Sequence, residues 1–191
     1  MLISLPVIIE TEQILSLWLK EVPEYTTIFF RLIIITTMID AISNPFMRAV
    51  DATGNINMYQ IVVGGILLMI VPVSYVVLKF GGAPYSVFIV HIVLGIIAFI
   101  ARMGFVKKLI GVSVKLYFKD VILKLILVTI VSSVLPLILR FNFEPSILRF
   151  LGSSLLSVIS VICSVYFIGL KENEKRMTIG KITDKIRVRL K

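Results

Sequence analysis

MYQIVVGGILLMIVPVSYVVLK (58–79) decides the fold. Its only fully charged side chain, Lys79, stands at its very end, and nothing in it alternates polar with apolar. A run of this length and composition reads as a transmembrane helix. At ~1.5 Å per residue it reaches ~33 Å, enough for the ~30 Å hydrocarbon core of a bilayer. A barrel strand is ~10 residues long and alternates, so helix is the reading. Gly64, Gly65 and Pro72 predict a kink inside it.

Four more runs have the same character: 26–47, 85–106, 120–139 and 147–169. The whole chain of 191 residues is 58% apolar and 16% charged, with a mean hydropathy of +1.03. Ordinary soluble domains are ~45–50% apolar and ~25% charged. A soluble fold could not hide this much apolar surface. The expected fold class is therefore an all-α integral membrane bundle of five transmembrane helices, with an N-terminal half-helix stub and amphipathic interfacial helices. Residues 1–170 form the membrane lobe, and 171–191 form a basic cytoplasmic tail.

The connections carry their own signals. Residues 1–9 are too short to span and lack a basic n-region or a cleavage site, so they read as the end of a helix rather than a signal peptide. Segment 10–25 is amphipathic, with Trp18 and Tyr25 suited to headgroup level. Pro45 in SNPFMR is expected to end the first span, because it cannot continue the hydrogen-bond ladder. FGGAP (80–84) reads as a tight turn. Segment 109–118 reads as an amphipathic surface helix. In the tail, Ile179, Ile182, Ile186 and Leu190 recur at helical spacing, which suits either a second surface helix or a solvated charged one.

The formal charge of +9 is distributed unevenly. If the spans alternate, Arg48, Lys107, Lys108, Lys115, Lys119 and the eight basic residues after Leu170 share one side. Lys20, Lys79 and Arg140 fall on the other. The positive-inside rule then predicts a cytoplasmic C-terminus. Basic residues at membrane borders point to anionic lipids as partners rather than to nucleic acid.

Polar residues within the spans are the candidate site. Thr36, Asp40, Ser43 and Asn44 are three or four residues apart and are expected on one face of the first span. A carboxylate at Asp40 is costly unless it meets protein or water. It reads either as a cavity-lining proton or cation site or as an internally paired group that fixes packing. Arg31 lies about 900° of rotation and ~13 Å from Asp40, on the opposite face. It suits an anionic headgroup, or snorkels to the border. His91, Gly95, Ala98 and Arg102 align on the third span. His91 reads as a proton relay or, more simply, a packed and hydrogen-bonded histidine; Arg102 and Lys124 read as snorkelling. Serines 153, 157, 160 and 164 align on the fifth span, and Thr129, Ser132, Ser133 and Pro136 on the fourth, as faces for close helix packing.

No Walker loop, Gly-rich dinucleotide turn, HExxH or Ser-elbow motif occurs. The lone Cys163 makes neither a disulfide nor a cysteine metal cluster within one chain. No cofactor, metal or enzyme activity is expected.

LWLKEVPEYTTIFFRLIIITTMIDAISNPFMRAVDATGNINMYQ (17–60), the helix after it to 81 and ARMGFVKKLIGVSVKLYFKDV (101–121) carry a resemblance. The chain resembles the C-terminal part of polysaccharide-biosynthesis transporters of the O-antigen flippase type, in the multidrug/oligosaccharidyl-lipid/polysaccharide exporter superfamily. NPFMRAVDATGNINMYQ (44–60) is its main support. The resemblance implies one lobe of a two-lobed bundle of twelve to fourteen helices in a bacterial cytoplasmic membrane. It also implies an undecaprenyl-pyrophosphate-linked oligosaccharide as substrate, and a truncated reading frame or a separately encoded N-terminal lobe. Arg31, Asp40 and Arg48 lie in or beside the matching segment. The alternatives are a cation or drug antiporter lobe of the same superfamily, or a small membrane scaffold.

Overall fold

The computed structural model describes residues 2–142 and 146–169. The tail at 171–191, with its candidate surface helix, lies outside the described residues. The elements are α1 (Ser4–Ile9), α2 (Thr11–Trp18), α3 (Thr26–Asp51), α4 (Asn57–Leu68), α5 (Ile70–Lys79) and α6 (Ser86–Ile110). Then come α7 (Val114–Tyr117), a π-helical turn (Phe118–Ile122), α8 (Leu123–Asn142), α9 (Ile147–Ser164) and a second π-helical turn (Val165–Gly169). Among the described residues there is no strand. Five helical stretches are long and apolar enough to cross a membrane: Thr26–Asp51, Asn57–Lys79, Ser86–Ile110, Val114–Asn142 and Leu148–Gly169. Each overlaps one of the five expected runs.

Polarity is distributed as a bilayer demands. Val71 and Leu68 are each 73% exposed, and Leu155 and Ile61 are nearly as open. Ser43, Ser132, Ser153 and Ser157 are buried. Water would drive this arrangement the other way, since soluble proteins rarely expose large continuous apolar surface. Lipid removes that penalty and leaves van der Waals packing of small faces as the force between helices.

The described residues divide into two compact units, 10–117, and 2–9 with those from 118 to 169. In the first, α6 packs against α3, α4 and α5. Tyr25 meets Tyr85 at 5.9 Å, Phe29 meets Phe88 at 5.4 Å, and Ser43 meets Arg102 further along. This constant offset in sequence means that α3 and α6 run parallel, as alternate spans must. Phe46, Val50, Tyr59, Val63, Ala98 and Val106 form the buried core. In the second unit, α8 packs on α9 and α1 rests on both. Leu5 and Ile9 cluster with Val161, and Arg140 donates a hydrogen bond to the Ile9 carbonyl.

Two expectations about boundaries fail. Pro45 does not end the first span, because α3 continues to Asp51. The six residues beyond it bury Phe46 and Val50. Phe46 is edge-on to Phe99 at 5.7 Å and to Tyr117 at 4.6 Å. That burial offsets the one hydrogen bond that proline removes. Segment 109–118 is not one surface helix either. Leu109 and Ile110 finish α6, Gly111 stops it at φ +78°, and the next helical stretch starts at Val114. Only glycine takes that left-handed cap without strain.

The kink in the second span is present as an interruption at Met69 between α4 and α5. Pro72 cannot donate to the Leu68 carbonyl, which removes one bond beside Met69, while the Met69 amide still reaches Gly65 and Val73 still reaches Met69. The FGGAP turn is also present. Gly82 lies so close to the Val77 carbonyl that an added Cβ would stand 2.8 Å from its oxygen.

Candidate functional site

α3 carries most of the expected site residues, but not on one face. Thr36 and Ser43 are buried, whereas Asp40, Asn44 and Arg48 are exposed. The reason is geometric. A spacing of seven returns to within ~20° of the same direction, while each spacing of four advances it by ~40°. The polar stripe therefore winds from the packed side of the helix to its open side.

On the packed side, the Thr36 hydroxyl donates to the Leu32 carbonyl at 2.9 Å and is used up within its own helix. Ser43 accepts from the Arg102 guanidinium at 2.6 Å. Arg102, expected to snorkel, has one guanidinium nitrogen engaged by α3. It is partly buried and links α6 to α3. Tyr59, on α4, is buried in the same core cluster as Ala98, one turn before Arg102. The sequence held one signal for the Arg102–Ser43 link: Arg102 follows Ala98 by a single helical turn, and Ala98 is buried. His91, earlier on the same helix, is half-buried. It has no hydrogen bond to any described residue, which departs from the expected packed and hydrogen-bonded histidine.

On the open side, Asp40, Asn44 and Arg48 lie along one strip near the middle and end of α3. Their side chains have no hydrogen-bond or ion-pair partner among the described residues. Thr37 precedes them on the same strip and bonds only to the Ile34 carbonyl. Arg31 stands apart from this strip. Its guanidinium pairs with Glu12 at 3.0 Å and ties α2 to α3 across the turn at 19–25.

Comparison with protein-family models, curated proteins and solved structures returned no match. The reading of the site therefore rests on its own geometry. Among the described residues, no group of three or more His, Cys, Asp or Glu side chains gathers as metal ligands would.

The open strip offers three different contacts in a row. A carboxylate can take a cation or a hydroxyl, a carboxamide can both donate and accept, and a guanidinium can hold a phosphate oxygen pair. The surrounding surface of α3 is apolar, with Ile33 and Met47 exposed beside it. A charged strip in such a setting is stable only against protein or water.

Close to the start of α3, Tyr25 holds a left-handed backbone conformation at φ +66°, unusual for a residue with a side chain. Ring contacts to Phe29 at 6.5 Å and to Tyr85 stabilise it there. The neighbouring Glu24 carboxylate raises the pKa of its phenol above the ordinary value.

Proposed function

We propose that this chain is the C-terminal lobe of a flippase-type transporter in a bacterial cytoplasmic membrane. Its substrate in this reading is a lipid-linked oligosaccharide of the undecaprenyl-pyrophosphate type. The observation that carries the proposal is the exposed Asp40–Asn44–Arg48 strip on α3. A scaffold embedded in lipid gains nothing from such a strip, whereas a transporter lobe needs one where it faces a watery cavity. Two of its three residues, Asn44 and Arg48, belong to NPFMRAVDATGNINMYQ (44–60), one of the stretches that carry the family resemblance.

In this reading the Arg48 guanidinium takes the pyrophosphate, Asn44 reads sugar hydroxyls and Asp40 takes a hydroxyl or a coupling cation. A second lobe supplies the opposite wall. Thr36, bonded within α3, and Arg31, paired with Glu12, lie off this strip and are given no contact with the substrate in this reading. A cation or drug antiporter lobe is the second reading, and the exposed mid-span Asp40 favours it.

The test is deletion and complementation in the host cell. Loss of the gene should leave lipid-linked oligosaccharide on the inner leaflet and strip polymer from the surface. The wild-type chain should restore display. Arg48→Ala should lower the export rate about tenfold or more, the effect of losing one charge-assisted contact. Normal display in the deletion strain would reject the reading, as would full export by Arg48→Ala at equal protein level. Drug sensitivity with intact surface polymer would favour the antiporter.

A further inference from the structure

Helices α8 and α9 meet through buried small residues, Ser132 on one and Ser153, Ser157, Ser160 and Ser164 on the other. Because these faces are narrow, the larger side chains beside them splay apart and leave a groove of about 540 Å³. Val131, Val134, Leu156, Ile159, Cys163 and Phe167 line it. Its volume falls within the ~300–1,000 Å³ of ordinary ligand pockets. Along α9 and the following turn it extends from Leu156 to Ile168, or ~18 Å at ~1.5 Å per residue.

No charged side chain lines the groove, and basic residues flank both of its ends, Lys124 at one and Arg140 and Arg149 beyond the other. No Lys, Arg, Asp or Glu occurs in 125–139 or in 150–169. At the Lys124 end, its ammonium donates to the Gly169 carbonyl at 3.2 Å, next to Ile168 of the groove wall. That bond uses one of three donors. Arg140 is already engaged by the Ile9 carbonyl, whereas Lys124 stands beside the Ile168 end with donors to spare, so an apolar slot with this cation at its mouth matches a molecule with a hydrocarbon chain and an anionic head.

We propose that this groove seats one acyl chain of an anionic phospholipid whose phosphate is bound at Lys124. The site is independent of the transporter reading and would exist in a scaffold equally well. Cationic side chains at a membrane border attract anionic headgroups. The groove adds a fixed place for the chain, so the lipid is held rather than merely enriched nearby.

The full-length protein is placed in phosphatidylcholine nanodiscs containing a minor fraction of phosphatidylglycerol, and lipid retained after detergent washing is counted by native mass spectrometry. Phosphatidylglycerol should be enriched over its bulk share. Lys124→Gln should lower that enrichment about fivefold, and by clearly more than Lys108→Gln, which removes a border charge away from the groove. Ile159→Trp, which fills the slot from an exposed position, should abolish retention of either lipid. As a second readout, Phe167→Trp in a Trp18→Phe background should be quenched more by chain-brominated phosphatidylglycerol than by chain-brominated phosphatidylcholine. Four results would overturn the proposal: equal retention of the two lipids, full enrichment in Lys124→Gln, retention in Ile159→Trp, or equal quenching. Displacement of phosphatidylglycerol by a polyprenyl phosphate would also overturn it and reassign the groove to an isoprenoid chain.

Discussion

The unit 10–117 and the unit formed around α8 and α9 solve the same problem differently. In α8, hydroxyls bond back to their own helix: Thr129 to the Leu125 carbonyl, Ser132 to Val128 and Ser133 to Thr129. The outer surface of that unit is apolar, its groove included. Lipid can cover it without penalty. The unit 10–117 uses larger aromatic contacts and an Arg102–Ser43 link inside, and leaves Asp40, Asn44 and Arg48 on an open face. Among the described residues, one unit presents an apolar outer face and the other leaves a polar strip uncovered. The place where a membrane protein leaves charge uncovered is the place to look for its work.

The largest expected effect tests the inside of the unit 10–117. Arg102→Ala removes the charged partner of buried Ser43, and should cost about 1.5–3 kcal/mol in a thermal or denaturant melt in micelles. An unchanged melt would mean that the Arg102–Ser43 link is not formed. Ser157→Leu tests the other unit. Its side chain is fully buried in the α8–α9 contact, so the added bulk should cost about 1–3 kcal/mol. A silent substitution there would mean the helices are not in close contact.

Asp40→Leu separates stability from function. In the isolated chain it should leave the melt unchanged or raise it, because nothing described pairs with the carboxylate. Arg31→Ala should cost no more than about 1 kcal/mol, since its pair with Glu12 is partly exposed and screened. A larger loss would place Arg31 in the machinery of the open face. The smallest effect concerns Tyr25. Glu24→Gln should bring its phenol pKa back down toward ~10, read as an absorbance titration against Tyr25→Phe. The sign is that of a raised acid: the protonated phenol is the favoured form, so any contribution holds below pH ~10 and fades as pH rises through the shifted value.

The five spans were legible because hydropathy depends only on local composition. Their ends were not, because tertiary burial sets them. Nothing near Pro45 announces that Phe46 and Val50 will be buried against Phe99 and Tyr117. The Met69 break was legible because Pro72 acts on its own backbone. In the site, spacing correctly grouped Asp40 with Asn44 but also drew in Thr36 and Ser43. The winding of a four-residue repeat, and the neighbour that claims Ser43 from 59 residues away, are visible only in three dimensions.

The most direct test concerns what covers the α3 strip. A nitroxide at Asn44→Cys, in a Cys163→Ser background and in native membranes, is compared with one at Val71→Cys on an apolar outer face. Oxygen, which concentrates in lipid, should reach position 71 freely and position 44 poorly. Equal oxygen access at both positions would mean that lipid covers the strip, and the account of this face as part of a transport cavity would be contradicted.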